Sequence, residues 1–366
     1  MRKIVVAEKI FTGECWLEQV ALVVENGMVT AILNADEVDG SEVLQMNGSF
    51  LVPAFIDLQI YGANNKLLAV QPTSEALSDL YDYCKAGGAA LFQPTVATNS
   101  NEVFFRCIDA VREYWKTGGR GCIGLHLEGP WISREKRGAH LQEHIHAPTV
   151  KEVTELLNYG QGVISMITLA PEVCSPEIIE IISKNGIVIS AGHSNCFFNS
   201  ALQSFDLGIT TITHLFNAMS PLQHREPGLV GAAFRSPKVK ASIIPDGYHV
   251  DFEVISIAKE LMGERLFAIT DAVTETNEGG YPHQFDGDKY LSEGILSGSA
   301  LTMHTAFRNL VQKVGIAVEE SIRMCSLYPA MVIKLDHLHG KIAPDYAAQF
   351  LALDDQLNLV ETIILQ

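Results

Sequence analysis

Eight short apolar runs, rich in β-branched residues, recur along the chain, and helical segments separate them. They are PAFIDLQIYG (53–62), ALFQPTV (90–96), IGLHLEGP (123–130), VISMITLAPE (163–172), IVISAGHS (187–194), TITHLFNAM (211–219), KASIIPDG (240–247) and RLFAITDA (265–272). Runs that stay apolar instead of alternating are strands covered on both faces. Between them, Ser100-Asn101-Glu102 opens VFFRCIDAVREYW, and Pro176-Glu177 opens IIEIISKNG. Both openings carry residues suited to a helix N-terminus. Eight such repeats predict an α/β fold, a closed (β/α)8 TIM-like barrel whose catalytic groups sit at the C-terminal ends of the strands. The 366 residues, 47% of them hydrophobic and 19% charged, supply enough apolar material for that core. The two ends read differently. KIVVAEKIF, QVALVVENG and MVTAILN at the start, then polar turn residues, and QFLALDDQLNLVETIILQ at the finish, read as strands and turns without helices. The expected organisation is therefore residues 1–50 and 336–366 as a small β-sandwich domain built from both chain termini, bracketing the barrel at 51–335.

A formal charge of −17 argues against nucleic-acid or anionic-membrane partners. An anionic substrate would need local cations working against that field. The seven cysteines, at 15, 84, 107, 122, 174, 196 and 325, form no CxxC pair and read as reduced core residues. No apolar run approaches the ~20 residues needed to span a bilayer, and the start of the chain lacks a signal-peptide pattern. A reducing cytoplasm is the default expectation.

The strand ends offer an unusual set of polar residues: Asp57 and Gln59, Gln93, His126 and Glu128, Glu172, His193, His214 and Asn217, Asp246 and His249, and Asp271. A glutamate buried at a strand end, as Glu128 would be, costs several kcal/mol unless it is paired or coordinated. His193 and His214 end consecutive strands, which a barrel places side by side. Either imidazole alone is more often a hydrogen-bonded core residue. Together with Glu128 they make a familiar divalent-metal set with an open position for water. Asp271 ends the eighth strand, where a carboxylate can take a proton from an activated water and return it to a leaving amine. His140 lies in the charged loop WISREKRGAH, placed to cover the site and bring an imidazole onto a substrate carbonyl. Arg225, His249 and the backbone around Asn217 and Ala218 are candidates for an anionic group, with a surface ion pair to Glu226 as the competing reading of Arg225. Ser297-Gly298-Ser299, before Ala300-Leu301-Thr302-Met303, is a small-residue loop entering a helix, a polar-contact candidate on a weak motif, and His126 and the remaining histidines read as structural or solvated.

These residues fall in motifs that together resemble a known family. HLEGPW (126–131), KRGAH (136–140), AGHS (191–194), HLFNAM (214–219), REPG (225–228), DGYHV (246–250) and TDA (270–272) look like the N-acetylglucosamine-6-phosphate deacetylases of the amidohydrolase superfamily. The resemblance runs in order from the first barrel strand to the last. It implies that Glu128, His193 and His214 hold one divalent metal ion per subunit and that Asp271 is the acid/base, with His140 on the carbonyl. Zinc is favoured by the histidine and carboxylate donors, and Fe2+, Co2+ or Mn2+ fit too. Substrate contacts would come from Ala139, Asn217, Ala218, Arg225, Asp246, Gly247, Tyr248, His249, Leu301, Thr302 and Met303. In that family the neighbouring subunit helps grip the sugar phosphate, so a homodimer is expected, with Arg225 and His249 candidates for the partner's site.

The first strand departs from the superfamily pattern, carrying Gln59-Ile60-Tyr61 where His-x-His is usual, after Pro53-Ala54 in place of the common Pro-Gly. Neither an amide nor a phenol is a good ligand for a second ion, so a mononuclear site is expected. The implied reaction is hydrolysis of the acetamide of N-acetylglucosamine 6-phosphate to glucosamine 6-phosphate and acetate. Two alternatives remain open. Another amidohydrolase, acting on a cyclic amide or an acylated amino sugar, would keep the metal set and Asp271 without needing Arg225 or His249. A non-catalytic sugar-phosphate-binding protein would have no need of that catalytic set.

Overall fold

Eight strands hydrogen-bond in the order of the sequence: Phe55–Ile60, Ala89–Ala97, Leu125–Glu128, Ile164–Leu169, Val188–Ala191, Thr211–Ile212, Lys240–Ile243 and Leu266–Ala268. Every pairing from the second strand to the eighth is parallel. The sheet closes just beyond the strands themselves. There the Asp271 N–H donates to the Gln59 carbonyl at 3.0 Å, and the Tyr61 N–H donates to that of Ala272 at 2.9 Å. The barrel read from the alternating pattern is thus present. The computed structural model describes residues 2–38, 42–292 and 294–366.

The chain divides into two compact units. One comprises Leu58–Tyr83 and Leu91–Leu301; the other comprises Met1–Asp57, Cys84–Ala90 and Thr302–Gln366. The second unit carries a six-stranded mixed sheet in the order Leu359–Ile364, Gln349–Leu353, Glu42–Pro53, Arg2–Phe11, Trp16–Glu25, Met28–Asn34. Both termini therefore contribute to one sheet, as their strand-and-turn character suggested. Val5, Leu22, Val24, Leu51, Phe350 and Ala352 are among the buried residues of its core. The polar turn after Asn34 becomes a short 3-10 helix at Ala35–Glu37, and its remainder reaches residues 39–41, outside the described set.

The helices begin where their sequences ask them to. Ser100 caps Asn101–Lys116, its hydroxyl accepting from the Val103 N–H, and Ser175 caps Pro176–Lys184 by accepting from Ile178 N–H. Such caps stabilise a helix by about 1 kcal/mol each. Among the described residues no helix is long and apolar enough to cross a membrane. All seven cysteines are free, and five are buried.

Several strands stop earlier than their apolar runs. The sixth is only Thr211–Ile212. Beyond it, the N–H groups of His214 and Leu215 donate to Ser242, one to the hydroxyl and one to the carbonyl, each at 2.8 Å.

Inside the barrel, a line of buried polar side chains runs across the strands. Thr95 Oγ1 lies 3.3 Å from His126 Nδ1, and His126 Nε2 lies 2.7 Å from Thr168 Oγ1. Thr213 then joins Thr168 at 2.7 Å and Ser190 at 2.6 Å. Burial pushes His126 down to about 4, so its ring joins this line as a neutral imidazole. A fully partnered buried network costs nothing in lost hydrogen bonds, and a broken one does. Thr213→Val should therefore leave the Thr168 and Ser190 hydroxyls short of a partner and destabilise the protein by about 1–3 kcal/mol. Urea denaturation measures this; an unchanged midpoint would show that the network contributes nothing to stability.

Candidate metal centre and active site

The third, fifth and sixth strands bring three side chains to one point. Glu128 Oε1 lies 3.4 Å from His193 Nε2 and 3.1 Å from His214 Nε2, and the two nitrogens are 3.1 Å apart. Metal–ligand bonds of about 2.0–2.1 Å in a tetrahedron place donor atoms roughly 3.3–3.4 Å from one another. The triangle has nearly that edge, so these residues fit a divalent ion. All three are buried, Glu128 to 1% exposure. Burial alone would raise the Glu128 carboxyl. The His193 ring and hydrogen bonds from His140, His193 and His214 outweigh that and hold it well below the usual carboxylate range. The Nδ1 of His193 faces the Lys136 carbonyl at 2.9 Å, which orients the ring and leaves Nε2 toward the cluster.

Glu128, His140 and His193 also bring one donor each within 4.8 Å of one another. His140 nonetheless belongs to the other side of the carboxylate. Its Nε2 approaches Oε2 at 3.3 Å, whereas His193 and His214 converge on Oε1. His140 Nδ1 receives the Thr98 backbone N–H at 3.3 Å and contacts the Thr98 hydroxyl at 2.7 Å. A backbone N–H can only donate, so Nδ1 accepts and the proton sits on Nε2. Burial pushes His140 down to about 4, which keeps the ring neutral.

Asp271 joins from the eighth strand through Gln59. The Gln59 side-chain NH2 lies 2.7 Å from Asp271 Oδ1, 3.2 Å from Glu128 Oε1 and 2.8 Å from the Tyr61 oxygen. Two carboxylates can only accept, so the amide nitrogen must face them. The Tyr61 hydroxyl donates to Glu128 Oε2. Burial, then the charges of Glu128 and Asp271, push the Tyr61 phenol well above its ordinary range, so it keeps this proton.

The site's backbone is held in a conformation that side chains rarely adopt. His193, His214, Ala218 and Asp271 have φ of 46°, 36°, 48° and 55°. Left-handed conformations cost of the order of 1 kcal/mol or more each away from glycine. Three of these four belong to the candidate metal and acid/base set.

A cavity of about 330 Å³ opens over the cluster, lined on one side by Glu135, Lys136, Ala139, Asn217, Ala218 and His249. Leu67, Ala69, Ala97, Val273, Tyr281 and Leu296 contribute apolar and aromatic surface. Of the sequence-derived set, Glu128, Ala139, His140, His193, His214, Asn217, Ala218, His249 and Asp271 all line this space. Several others do not. Asp246 sits behind His249, its carboxylate 2.6 Å from His249 Nδ1 and accepting the N–H groups of Tyr248 and His249. Gly247 makes the turn at φ 79°, and Tyr248 is half-exposed, its hydroxyl donating to Asp288 at 2.6 Å. Arg225 lies exposed outside its own chain's cavity, and among the described residues no carboxylate pairs with it; Glu226 instead accepts the N–H groups of Phe198 and Gly228. Leu301, Thr302 and Met303 are not among the residues lining the cavity either. The Leu301 carbonyl accepts the Tyr83 hydroxyl, and Thr302 caps the helix Met303–Asn309. The cavity is lined instead by Leu296, Ser297 and Gly298, a few residues earlier.

Thr98, Lys136, Tyr281 and His283 were not singled out from the sequence. Lys136 had a signal, since it shares the charged loop with His140. The others had none, because their roles depend on contacts between distant loops.

Residues 50–364 match the model of the amidohydrolase family. The chain is 30% identical to an N-acetylglucosamine-6-phosphate deacetylase of Haemophilus influenzae, over 97% of this chain and 96% of that one. It is 33% identical to an N-acetylgalactosamine-6-phosphate deacetylase of a Shewanella species, over 96% and 92%. Among solved structures, the N-acetylglucosamine-6-phosphate deacetylase of Pasteurella multocida superposes with a TM-score of 0.95 at 33% identity, covering 100% of this chain and 98% of that one. With this barrel, this cluster and a family match over most of its length, the chain belongs to the amidohydrolase family.

Proposed function

We propose that this protein hydrolyses the acetamide of N-acetylglucosamine 6-phosphate, releasing acetate and glucosamine 6-phosphate. The observation that carries the reading is the Glu128–His193–His214 triangle, with Asp271 tied to it through Gln59. Relatives of nearly full length whose names specify deacetylation of this sugar phosphate or its galacto counterpart support it.

Glu128, His193 and His214 would hold one divalent ion, with zinc favoured and Fe2+, Co2+ or Mn2+ compatible with the same donors. When bound, such an ion lowers the pKa of water and polarises the scissile carbonyl. Asp271 takes a proton from the attacking water, and neutral His140 donates its Nε2–H to the carbonyl oxygen as negative charge develops there. Asp271 then returns the proton to the amide nitrogen, the C–N bond breaks, and the sugar leaves as a neutral amine. Gln59 keeps the Asp271 carboxylate oriented through both transfers.

The phosphate needs local positive charge in a chain of net charge −17. Lys136 would supply it from the cavity wall, with His249 and the Asn217–Ala218 backbone adding hydrogen-bonding groups. Arg225 completes the grip in a homodimer, where its exposed guanidinium serves the neighbouring subunit. The place of action is the cytoplasm, where sugar phosphates are retained and seven free thiols stay reduced.

Acetate release should require metal, being lost on chelation and restored by one divalent ion per chain. Removing the substrate phosphate, or Arg225→Ala, should lower kcat/KM at least about tenfold. Full turnover in chelator, or equal turnover of the unphosphorylated sugar, would reject the assignment. Asp271→Asn should bind metal normally and lose turnover by about 10²–10⁴-fold. A variant as fast as the parent would remove Asp271 from the mechanism.

A further inference from the structure

A polar side chain buried beside a ligand cavity is expected to have a partner, whether protein, water or ligand. His283 lies in the segment after the eighth strand, and nothing in the reaction above uses it. Its ring is 4% exposed and lines the cavity. Nδ1 lies 3.3 Å from the hydroxyl of Ser297, which lines the cavity too. Among the described residues Nε2 meets no donor or acceptor, and it is not sealed within protein.

The ring is held in place from both sides. Thr276 and His283 exchange both backbone hydrogen bonds, at 3.0 and 3.1 Å. Tyr281, its ring at 14° to that of His283, donates its hydroxyl to the Thr98 carbonyl at 2.5 Å. Thr98 is the residue that orients His140, so His283 is tied to the catalytic side of the cavity. Ser297 comes from the antiparallel strand Ile295–Ser299, a separate support. Burial pushes the His283 imidazole down to about 4. A neutral ring is a poor partner for a phosphate and a good one for a hydroxyl, which both donates and accepts.

The geometry assigns His283 Nε2, together with the Ser297 hydroxyl, to a ring hydroxyl of the bound amino sugar, making the pair a specificity determinant. This rests on the substrate being an amino-sugar phosphate. Sites built to hydrogen-bond a substrate hydroxyl discriminate strongly against analogues lacking it, because the site's own polar atoms are left unpaired.

The test compares the parent enzyme, loaded with metal, against His283→Leu, His283→Gln and Ser297→Ala. Substrates are N-acetylglucosamine 6-phosphate and its 1-deoxy, 3-deoxy and 4-deoxy analogues, with melting temperature and metal content measured alongside. His283→Leu should lower kcat/KM on the full substrate at least about tenfold, chiefly through KM, yet leave one deoxy analogue unaffected. His283→Gln should recover part of the loss, and Ser297→Ala should show its penalty on the same analogue series. A penalty equal on all four substrates, or absent from all, overturns the role of His283 while leaving the deacetylase reading intact. A parent enzyme that releases no acetate from the full substrate overturns both.

Discussion

The site is organised by the need to satisfy a fully buried carboxylate. Glu128 is removed from water at the end of an apolar strand, and an unpaired charge there would cost several kcal/mol. Its two oxygens have different surroundings. Oε1 faces His193, His214 and the Gln59 amide; Oε2 faces His140 and the Tyr61 hydroxyl. Oε1 thus completes the candidate metal triangle with the Gln59 amide beside it, while Oε2 is held by the Tyr61 hydroxyl and His140. Such partition fixes the carboxylate's rotation, which a metal ligand needs before the ion arrives.

The same donors connect Asp271, the proposed acid/base, to the proposed ligand Glu128. Gln59 reaches from Glu128 to Asp271, and both are tied to the place where the first and eighth strands close the barrel. Gln59 and Asp271 therefore meet twice, once through the backbone that closes the sheet and once through their side chains. Left-handed backbone at His193, His214 and Asp271 adds a local cost that barrel packing must absorb. That cost accompanies side chains turned off the strand ends toward a common point.

Much of this was legible in the sequence, for identifiable reasons. The eight apolar runs marked the strands, and polar residues at their ends marked the catalytic face, because period and composition are local properties. Glu128, His193, His214, Asp271, His140 and His249 follow from that rule together with the family motifs. Positions along irregular segments were harder to place from the sequence. Leu301–Met303 was expected at the cavity, but the antiparallel strand ending at Ser299 brings Leu296–Gly298 there instead. Arg225 has the chemistry for an anion and lies outside its own chain's cavity. Thr98, Tyr281 and His283 are placed by contacts between residues far apart in the chain, and no local pattern announces such contacts. Gln59 and Tyr61 were seen as the loss of two ligands; the fold shows what they provide instead, namely donors to the two carboxylates.

The central claim is that one ion sits among Glu128, His193 and His214, with Gln59 and Tyr61 occupying the ground a second would need. The most direct measurement is a crystal structure of the metal-loaded protein at a wavelength giving anomalous signal from the ion, with metal content determined on the same sample. The account predicts a single peak per chain, bonded to one Glu128 oxygen and the Nε2 atoms of both histidines. Two fully occupied peaks, or one held by a different set of residues, would contradict it.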